Sequence, residues 1–236
     1  RLDALDDPDD PLGGNATTGV SLAVLRAGAV ATDQPLYRYV GGADTHVLPL
    51  PFFDMIEGGE LAGGDLPFQE HQVVPVGADS VAEAVRMAAE VYYELGDIVR
   101  AEYGEASLNV GAEGGYNPTG VDDPRTAFDL ELRAIEACGY DGEFALATDV
   151  AASHFYDPET ETYALLGDRL SRAELLAFYE ELVDTYPVVS LEDPLDQNDF
   201  DGYVDLTDRL DVQVVGDDLF VTTPDRLRRG IDRGAA

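Results

Sequence analysis

The sequence has 236 residues, and 45% of them are hydrophobic. It contains 48 aspartate and glutamate residues, 14 arginines and no lysine, which gives a formal net charge of −34. This composition excludes a basic surface for nucleic acid, and the acidic first ten residues do not have the form of a signal peptide. No apolar run reaches the ~18 residues of a membrane-spanning helix, so we expect a cytoplasmic protein. Cys138 is the only cysteine, which excludes an internal disulfide and a cysteine metal cluster.

The acidic residues are interleaved with apolar residues at helical and strand spacing, so they belong to folded segments rather than to a disordered tail. In dilute buffer a net charge of this size would make a compact domain repel itself. At molar salt the Debye length falls to about 3 Å and the repulsion is screened. An acidic, lysine-free surface around an ordinary core therefore indicates a halophilic protein.

The first half of the chain predicts two helices and two buried strands. These elements are a helix at 16–31, strands at 46–56 and 69–76, and a helix at 80–104. Pro49 and Pro51 interrupt the first strand. The apolar residues of the last helix recur at amphipathic spacing, with Ser80 as the predicted N-cap and Gly104 at the C-terminal end.

The second half alternates regularly between helices and short apolar strands. The helices are at 125–138, 171–185, 201–209 and 224–233, and the strands at 144–149, 187–192 and 212–217. This alternation predicts a parallel sheet covered on both faces. A dinucleotide-binding fold would require a glycine-rich turn after an early strand. Neither GGELAGG at 58–64 nor GAEGG at 111–115 has that spacing, so an α/β barrel is favoured.

Three successive predicted strands each end in an acidic residue, Asp149, Glu192 and Asp217. One such acid alone would be read as a helix cap or a solvated loop residue. In parallel strands about 4.8 Å apart, however, three of them can converge on one ion, at the edge where α/β barrels carry their sites. Mg²⁺ accepts carboxylate oxygens, and no His or Cys accompanies these acids to favour zinc. Asp193 and Asp218 follow their neighbours directly and are expected to be supporting or capping groups, with Asp218 the alternative ligand.

Six ordered motifs resemble enolase, and together they extend over essentially all 236 residues. They are LGGNATTGVSLAV at 12–24, GG-x-x-AGG-x-x-x-x-QE at 58–70, NVGAEGG at 109–115, TDVAASHF at 148–155, SLEDPL at 190–195 and VVGDDLFVTTP at 214–224. Each motif is weak alone, but their order and spacing are specific together. The sequence is similar to an enolase of haloarchaeal type, as a fragment lacking both ends.

The resemblance implies a small α+β cap followed by an eight-stranded α/β barrel whose first two strands are antiparallel. Residues 1–44 would form the C-terminal, helical part of the cap. Residues 45–236 would form the first part of the barrel, truncated after about five strands. A homodimer, or a larger ring of dimers, is expected by analogy alone.

The activity implied by the resemblance is the Mg²⁺-dependent, reversible dehydration of 2-phosphoglycerate to phosphoenolpyruvate in glycolysis and gluconeogenesis. Asp149, Glu192 and Asp217 match the ligands of the tighter metal ion. Glu192 and Asp217 are also assigned to the substrate site. The family's base is a lysine on a later strand, and this sequence contains no lysine. We therefore expect the 236-residue chain alone to be inactive.

The remaining implied site residues are acids and one amide. Glu113 matches the general acid that protonates the departing hydroxide, and Glu70 its partner at the substrate hydroxyl, with Gln69 beside it. Leu61 replaces a histidine that enolases often have, and Ala112 replaces an aspartate. These departures keep open a non-catalytic, enolase-like binding protein. A superfamily member acting on another acid is the other alternative, although the AGG loop and the EGG acid argue against it.

Overall fold

The computed structural model describes residues 13–236, and the chain divides into two compact units, residues 1–49 and 50–236. The described part of the first unit contains helices α1 (Gly14–Ala31) and α2 (Leu36–Gly41). They pack closely because Gly28 has no side chain at the point where the ring of Tyr39 lies against α1. The helix predicted at 16–31 is confirmed, whereas α2 was not predicted.

The second unit alternates strands and helices. Its elements are β1 (Phe53–Glu57), α3 (Gly59–Ala62), β2 (Glu70–Val74), α4 (Val81–Tyr103), α5 (Pro124–Ala137), β3 (Ala145–Asp149), β4 (Tyr156–Asp157), β5 (Thr162–Leu165), β6 (Asp168–Leu170), α6 (Arg172–Thr185), β7 (Val188–Glu192), α7 (Phe200–Arg209), β8 (Gln213–Val215) and α8 (Pro224–Arg233). Every helix and strand predicted from residue 69 onwards is present, with each end within two residues of its predicted position. Within the second unit no helix is long and apolar enough to cross a membrane, and the same holds for α1 and α2.

The strand predicted at 46–56 is wrong over its first half, because β1 begins only at Phe53. Pro49 and Pro51 lack a backbone N–H and cannot donate to a strand ladder. At the other end β1 includes Glu57, one residue beyond the predicted limit. Ser80 caps α4 by accepting a hydrogen bond from the backbone N–H of Glu83, as predicted.

Five strands form one open sheet in the order β1-β2-β3-β7-β8. β2 is antiparallel to both β1 and β3, whereas β3, β7 and β8 are mutually parallel neighbours. The expectation that the first two strands of the sheet are antiparallel is therefore confirmed. The parallel sheet predicted from the helix–strand alternation is also confirmed for the last three strands. The architecture is mixed α/β, a partial barrel rather than a closed one.

The apolar core lies between this sheet and the helices, with large buried side chains such as Phe68, Phe128 and Tyr179. His71 points into this core, stacked on Phe68 and edge-on to Phe128. Burial lowers the pKa of His71 to about 3, so the imidazole remains neutral. Because side chains alternate along a strand, Glu70, the residue before His71, faces the opposite side of the sheet.

A second, three-stranded sheet of β4, β5 and β6 follows β3 and precedes α6. It was not predicted, because its strands have only two to four residues each. The hydroxyl of Tyr163 from β5 is buried and accepts a hydrogen bond from the backbone N–H of Asp196. This contact joins the small sheet to the loop that follows β7.

Leu146 tests the packing of the central strand β3, since its side chain is fully buried. Leu146→Ala should lower the free energy of unfolding by about 2–5 kcal/mol, through lost burial and a residual cavity. Val189 on the neighbouring strand β7 is 38% exposed, so Val189→Ala should cost about 0.5 kcal/mol or less. Chemical denaturation at one fixed molar salt concentration measures both, and equal losses would contradict the packing described for β3.

Candidate active site

One row of paired residues across the main sheet carries four carboxylates. The strand register pairs Glu57 with Glu70, Glu70 with Asp149, and Asp149 with Glu192. Side chains of directly paired residues lie on the same face, with Cβ atoms about 4.5–5.5 Å apart. The sheet therefore brings together the acids predicted at 70, 149 and 192, and adds one that was not predicted.

Asp149 is held by two hydrogen bonds at the end of β3. The side-chain amide of Gln69 donates to Oδ2 at 2.9 Å, and the backbone N–H of Ala151 donates to Oδ1 at 2.9 Å. Ala151 adopts a left-handed conformation, with φ of 46°, to present this N–H. Burial, followed by the charge of Glu192, raises the pKa of Asp149 to about 8. The two hydrogen bonds therefore fix the orientation of the Asp149 carboxylate within the row.

Glu192 at the end of β7 is half-buried. Burial raises the pKa of Glu192 to about 7, helped by the charges of Asp193 and Asp217. Asp217 lies two residues beyond the end of β8 and is exposed. Its backbone carbonyl accepts hydrogen bonds from Phe220 and Val221. Asp149 and Glu192 therefore lie side by side, and Asp217 acts on Glu192 through its charge.

Within residues 13–236, no three His, Cys, Asp or Glu side chains are close enough together to hold a metal ion. The donors nevertheless fit a hard divalent cation, since all of them are carboxylate oxygens. Among the ion pairs of the described residues, none involves Asp149, Glu192 or Asp217. A divalent cation would offset both the burial of these carboxylates and the repulsion from neighbouring acids, which together keep the pKa values of Asp149 and Glu192 high.

Asp193 is a structural group, as expected. Its carboxylate accepts hydrogen bonds from the hydroxyl of Tyr203 at 2.8 Å and from the backbone N–H of Asp218 at 2.7 Å. A longer bond comes from the N–H of Leu219 at 3.4 Å. These bonds fix the turn after β8, which carries Asp217.

Glu70 and Glu113 form an acid pair at the mouth of the site. Glu70 is buried at the start of β2 and accepts a hydrogen bond from the side-chain amide of Gln72 at 2.7 Å. Burial, and then a hydrogen bond with Glu113, raise the pKa of Glu70 to about 8. Glu113 is exposed, on the loop between α4 and α5. At neutral pH Glu70 is therefore mostly protonated.

The sequence analysis missed Glu57, the fourth carboxylate of the row. Its side chain is fully buried, and Oε1 accepts the backbone N–H groups of Glu113 at 2.9 Å and Gly115 at 2.7 Å. Glu57 follows an apolar strand directly, the same signal that identified Asp149. It could have been found had the strand been extended by one residue.

A sequence model of the family described as "Enolase, C-terminal TIM barrel domain" matches residues 45–236. The chain belongs to the enolase family. It is 51% identical over 229 residues to the enolase of Methanopyrus kandleri and 47% identical over 225 residues to those of Methanococcus aeolicus and Methanocaldococcus jannaschii. These alignments cover 95% of the chain but 52–53% of each relative, so the enolase chain described here spans about half the length of these relatives.

The carboxylate row of this enolase chain makes stability depend on pH when divalent ions are removed. The pKa values of Glu70 and Asp149 are raised to about 8 and that of Glu192 to about 7, against about 4 in an unfolded chain. Between these limits the folded state binds more protons than the unfolded state. The free energy of unfolding should therefore fall as the pH rises from about 5 to about 8.

Chemical denaturation in the presence of a chelator, repeated across this pH range, measures how steeply the free energy of unfolding falls with pH. Glu192→Gln should make this dependence on pH weaker, because it removes one repelling charge. Excess Mg²⁺ should have the same effect, because it compensates the charges. Glu159→Gln serves as the matched control, since Glu159 is exposed and outside the row. A slope that Glu192→Gln leaves unchanged would show that Glu192 does not interact with the row.

Proposed function

We propose that the complete protein is a magnesium-dependent enolase that reversibly dehydrates 2-phosphoglycerate to phosphoenolpyruvate, in glycolysis and gluconeogenesis. The observation that carries the proposal is the carboxylate row. Glu70, Asp149 and Glu192 occupy paired positions on three adjacent strands, and Glu113 is close enough to Glu70 to raise its pKa. Family membership and the names of the relatives support the same activity.

Asp149, Glu192 and Asp217 would hold the magnesium ion in this proposal. The bound ion supplies positive charge beside the substrate carboxylate, which makes loss of the neighbouring carbon-bound proton easier. The hydrogen bond from Gln69 orients one oxygen of Asp149. Gln69 thus contributes to the site by fixing a ligand as well as by its position next to Glu70.

The proposed proton donor to the departing hydroxide is Glu113, with Glu70 as its partner at the substrate hydroxyl. A carboxyl can act as a general acid near neutral pH when its surroundings raise its pKa toward the working pH. Glu70 meets this condition, with a pKa of about 8 caused by burial and by Glu113. In this proposal Glu70 passes its proton to Glu113, and Glu113, the exposed member of the pair, passes a proton to the departing hydroxide.

The proposal assigns residues 1–44 to the end of the N-terminal cap domain and residues 45–236 to the first part of the barrel. The lysine base would be supplied by the remainder of a complete barrel, because the chain contains no lysine. The protein would work as a homodimer or larger oligomer in a halophilic cytoplasm. Leu61 and Ala112, which replace residues that enolases often have, favour the second candidate, a non-catalytic enolase-like binding protein.

The activity test uses the full-length protein in molar KCl with Mg²⁺ and 2-phosphoglycerate, following phosphoenolpyruvate by its ultraviolet absorbance. Turnover should disappear on chelation and should fall by about 10²-fold or more in Glu113→Gln, the loss typical of a missing general acid. Glu192→Gln should abolish Mg²⁺-dependent turnover, and Glu159→Gln should be neutral.

Two outcomes would contradict the proposal. A folded, metal-bound, full-length protein without turnover would favour the binding protein instead. Formation of phosphoenolpyruvate by the 236-residue chain alone would contradict the assignment of the base to a lysine outside it.

The halophilic assignment has its own test. The net charge of −34 should destabilise the fold at low ionic strength, and salt should screen it as the Debye length falls from about 10 Å at 0.1 M to about 3 Å at 1 M. The free energy of unfolding, measured with urea so that the denaturant adds no charge, should rise over this range of KCl. Stability that does not change with KCl would contradict a halophilic origin.

A further inference from the structure

We propose that Asp54 and Glu57 act together as positioning residues: a protonated Asp54 donates a hydrogen bond to Glu57, and the Glu57 carboxylate holds the loop at residues 111–115 that carries Glu113. The inference rests on the proposed function only in taking Glu113 as the proton donor. The holding of the loop stands on contacts that are independent of any activity.

A bulge in β1 brings the two carboxyls to the same side. Residues three apart in a regular strand point to opposite faces. The pairing of β1 with β2 shifts by one residue between Asp54 and Ile56, and a bulge of this kind redirects the side chains that flank it. The carboxyl groups of Asp54 and Glu57 consequently lie within hydrogen-bonding reach of each other.

The loop is built to receive these carboxyls. A Cβ on Gly111 would lie 1.9 Å from Oε2 of Glu57, and one on Gly115 would lie 2.7 Å from Oδ2 of Asp54. The two glycines therefore leave the space that the carboxyls occupy. The loop closes through a hydrogen bond from the N–H of Gly111 to the carbonyl of Gly115 at 3.0 Å. The N–H groups of Glu113 and Gly115 then converge on Oε1 of Glu57.

The other oxygens need a proton. Both oxygens of Asp54 and Oε2 of Glu57 are buried and have no hydrogen-bond partner when the two groups are ionised. Two buried, ionised carboxylates in contact would repel, whereas one proton between them gives a hydrogen bond. Burial, and then contact with Glu57, raise the pKa of Asp54 to about 9. The proton therefore remains on Asp54 at neutral pH.

The groups that face Asp54 from neighbouring elements favour the same protonation state. They are Glu57 on its own strand, Glu70 on β2, Glu113 on the loop, Glu131 on α5 and Tyr92 on α4. The carboxyl of Glu131 is fully buried, with both oxygens unpartnered. Four of these groups are carboxyls and the fifth is the neutral phenol of Tyr92, so a negative charge on Asp54 would find no compensating cation among them.

The test compares Asp54→Asn with Asp54→Leu in the full-length protein. Both replacements are similar in size to aspartate, but only asparagine retains a donor for Oε2 of Glu57. In hydrogen-exchange mass spectrometry, Asp54→Leu should make the loop at 111–115 exchange about tenfold faster or more, because a buried acceptor loses its donor. Asp54→Asn should retain slow exchange, and helix α6 provides the reference region for both.

A second measurement does not depend on the folding of Asp54→Leu. The infrared difference spectrum between the native protein and Asp54→Asn, taken at neutral pH, should show the loss of one protonated-carboxyl band. No such loss would overturn the proposal, as would equal loop exchange in the asparagine and leucine variants.

Kinetics of the same variants separate this inference from the proposed function. If the loop loosens in Asp54→Leu and kcat falls with little change in KM, while Asp54→Asn recovers kcat, both are supported. If the loop loosens and kcat is unchanged, Asp54 and Glu57 still position the loop, but Glu113 is not the proton donor. If the loop does not loosen, the positioning role is overturned whatever the activity.

Discussion

The repulsion among four carboxylates in one row of a sheet is the constraint on which the rest of the structure depends. Paired strands place these groups next to one another, and the ion pairs of the described residues leave Glu57, Glu70, Asp149 and Glu192 unmatched. Such a row is stable only if protons, N–H donors or a cation reduce its net charge. The molecule uses a different means at each end. Two backbone N–H groups donate to Glu57, whereas Asp149 accepts one backbone N–H and the side-chain amide of Gln69.

The charges of the surface carboxylates are compensated in another way. Arginines pair with exposed carboxylates on the helices, as Arg86 does with Glu90 on α4, and such exposed pairs contribute little to stability. Most of the net charge is therefore left to the solvent and its ions. The same residue type thus has two roles in one chain. On the surface the carboxylates carry most of the net charge, and in the sheet four of them lie side by side.

The sequence predicted the site better where its signals are local than where they depend on distant contacts. Apolar strands that end in an acid identified Asp149 and Glu192, because burial and strand direction follow from a few adjacent residues. Asp54 could not be recognised in this way. Its position depends on a bulge set by pairing with β2 and on a loop some 60 residues later in the chain. The small sheet of β4, β5 and β6 was missed because two to four residues per strand give no readable alternation.

The reversed direction of β2 has a consequence for the opening of the site. In a fully parallel barrel each strand contributes one loop to the active edge, and that loop leads away into a helix. Here β1 ends and β2 begins at that edge, so residues 58–69 form a rim segment tethered at both ends to the sheet. Much of this segment is fixed by packing, because Leu66 and Phe68 are buried in the core and Gly58 has no space for a side chain. Position 61, where this chain has leucine, lies in the short helix α3 of that segment, so a replacement there changes the rim of the sheet and leaves every strand unaltered.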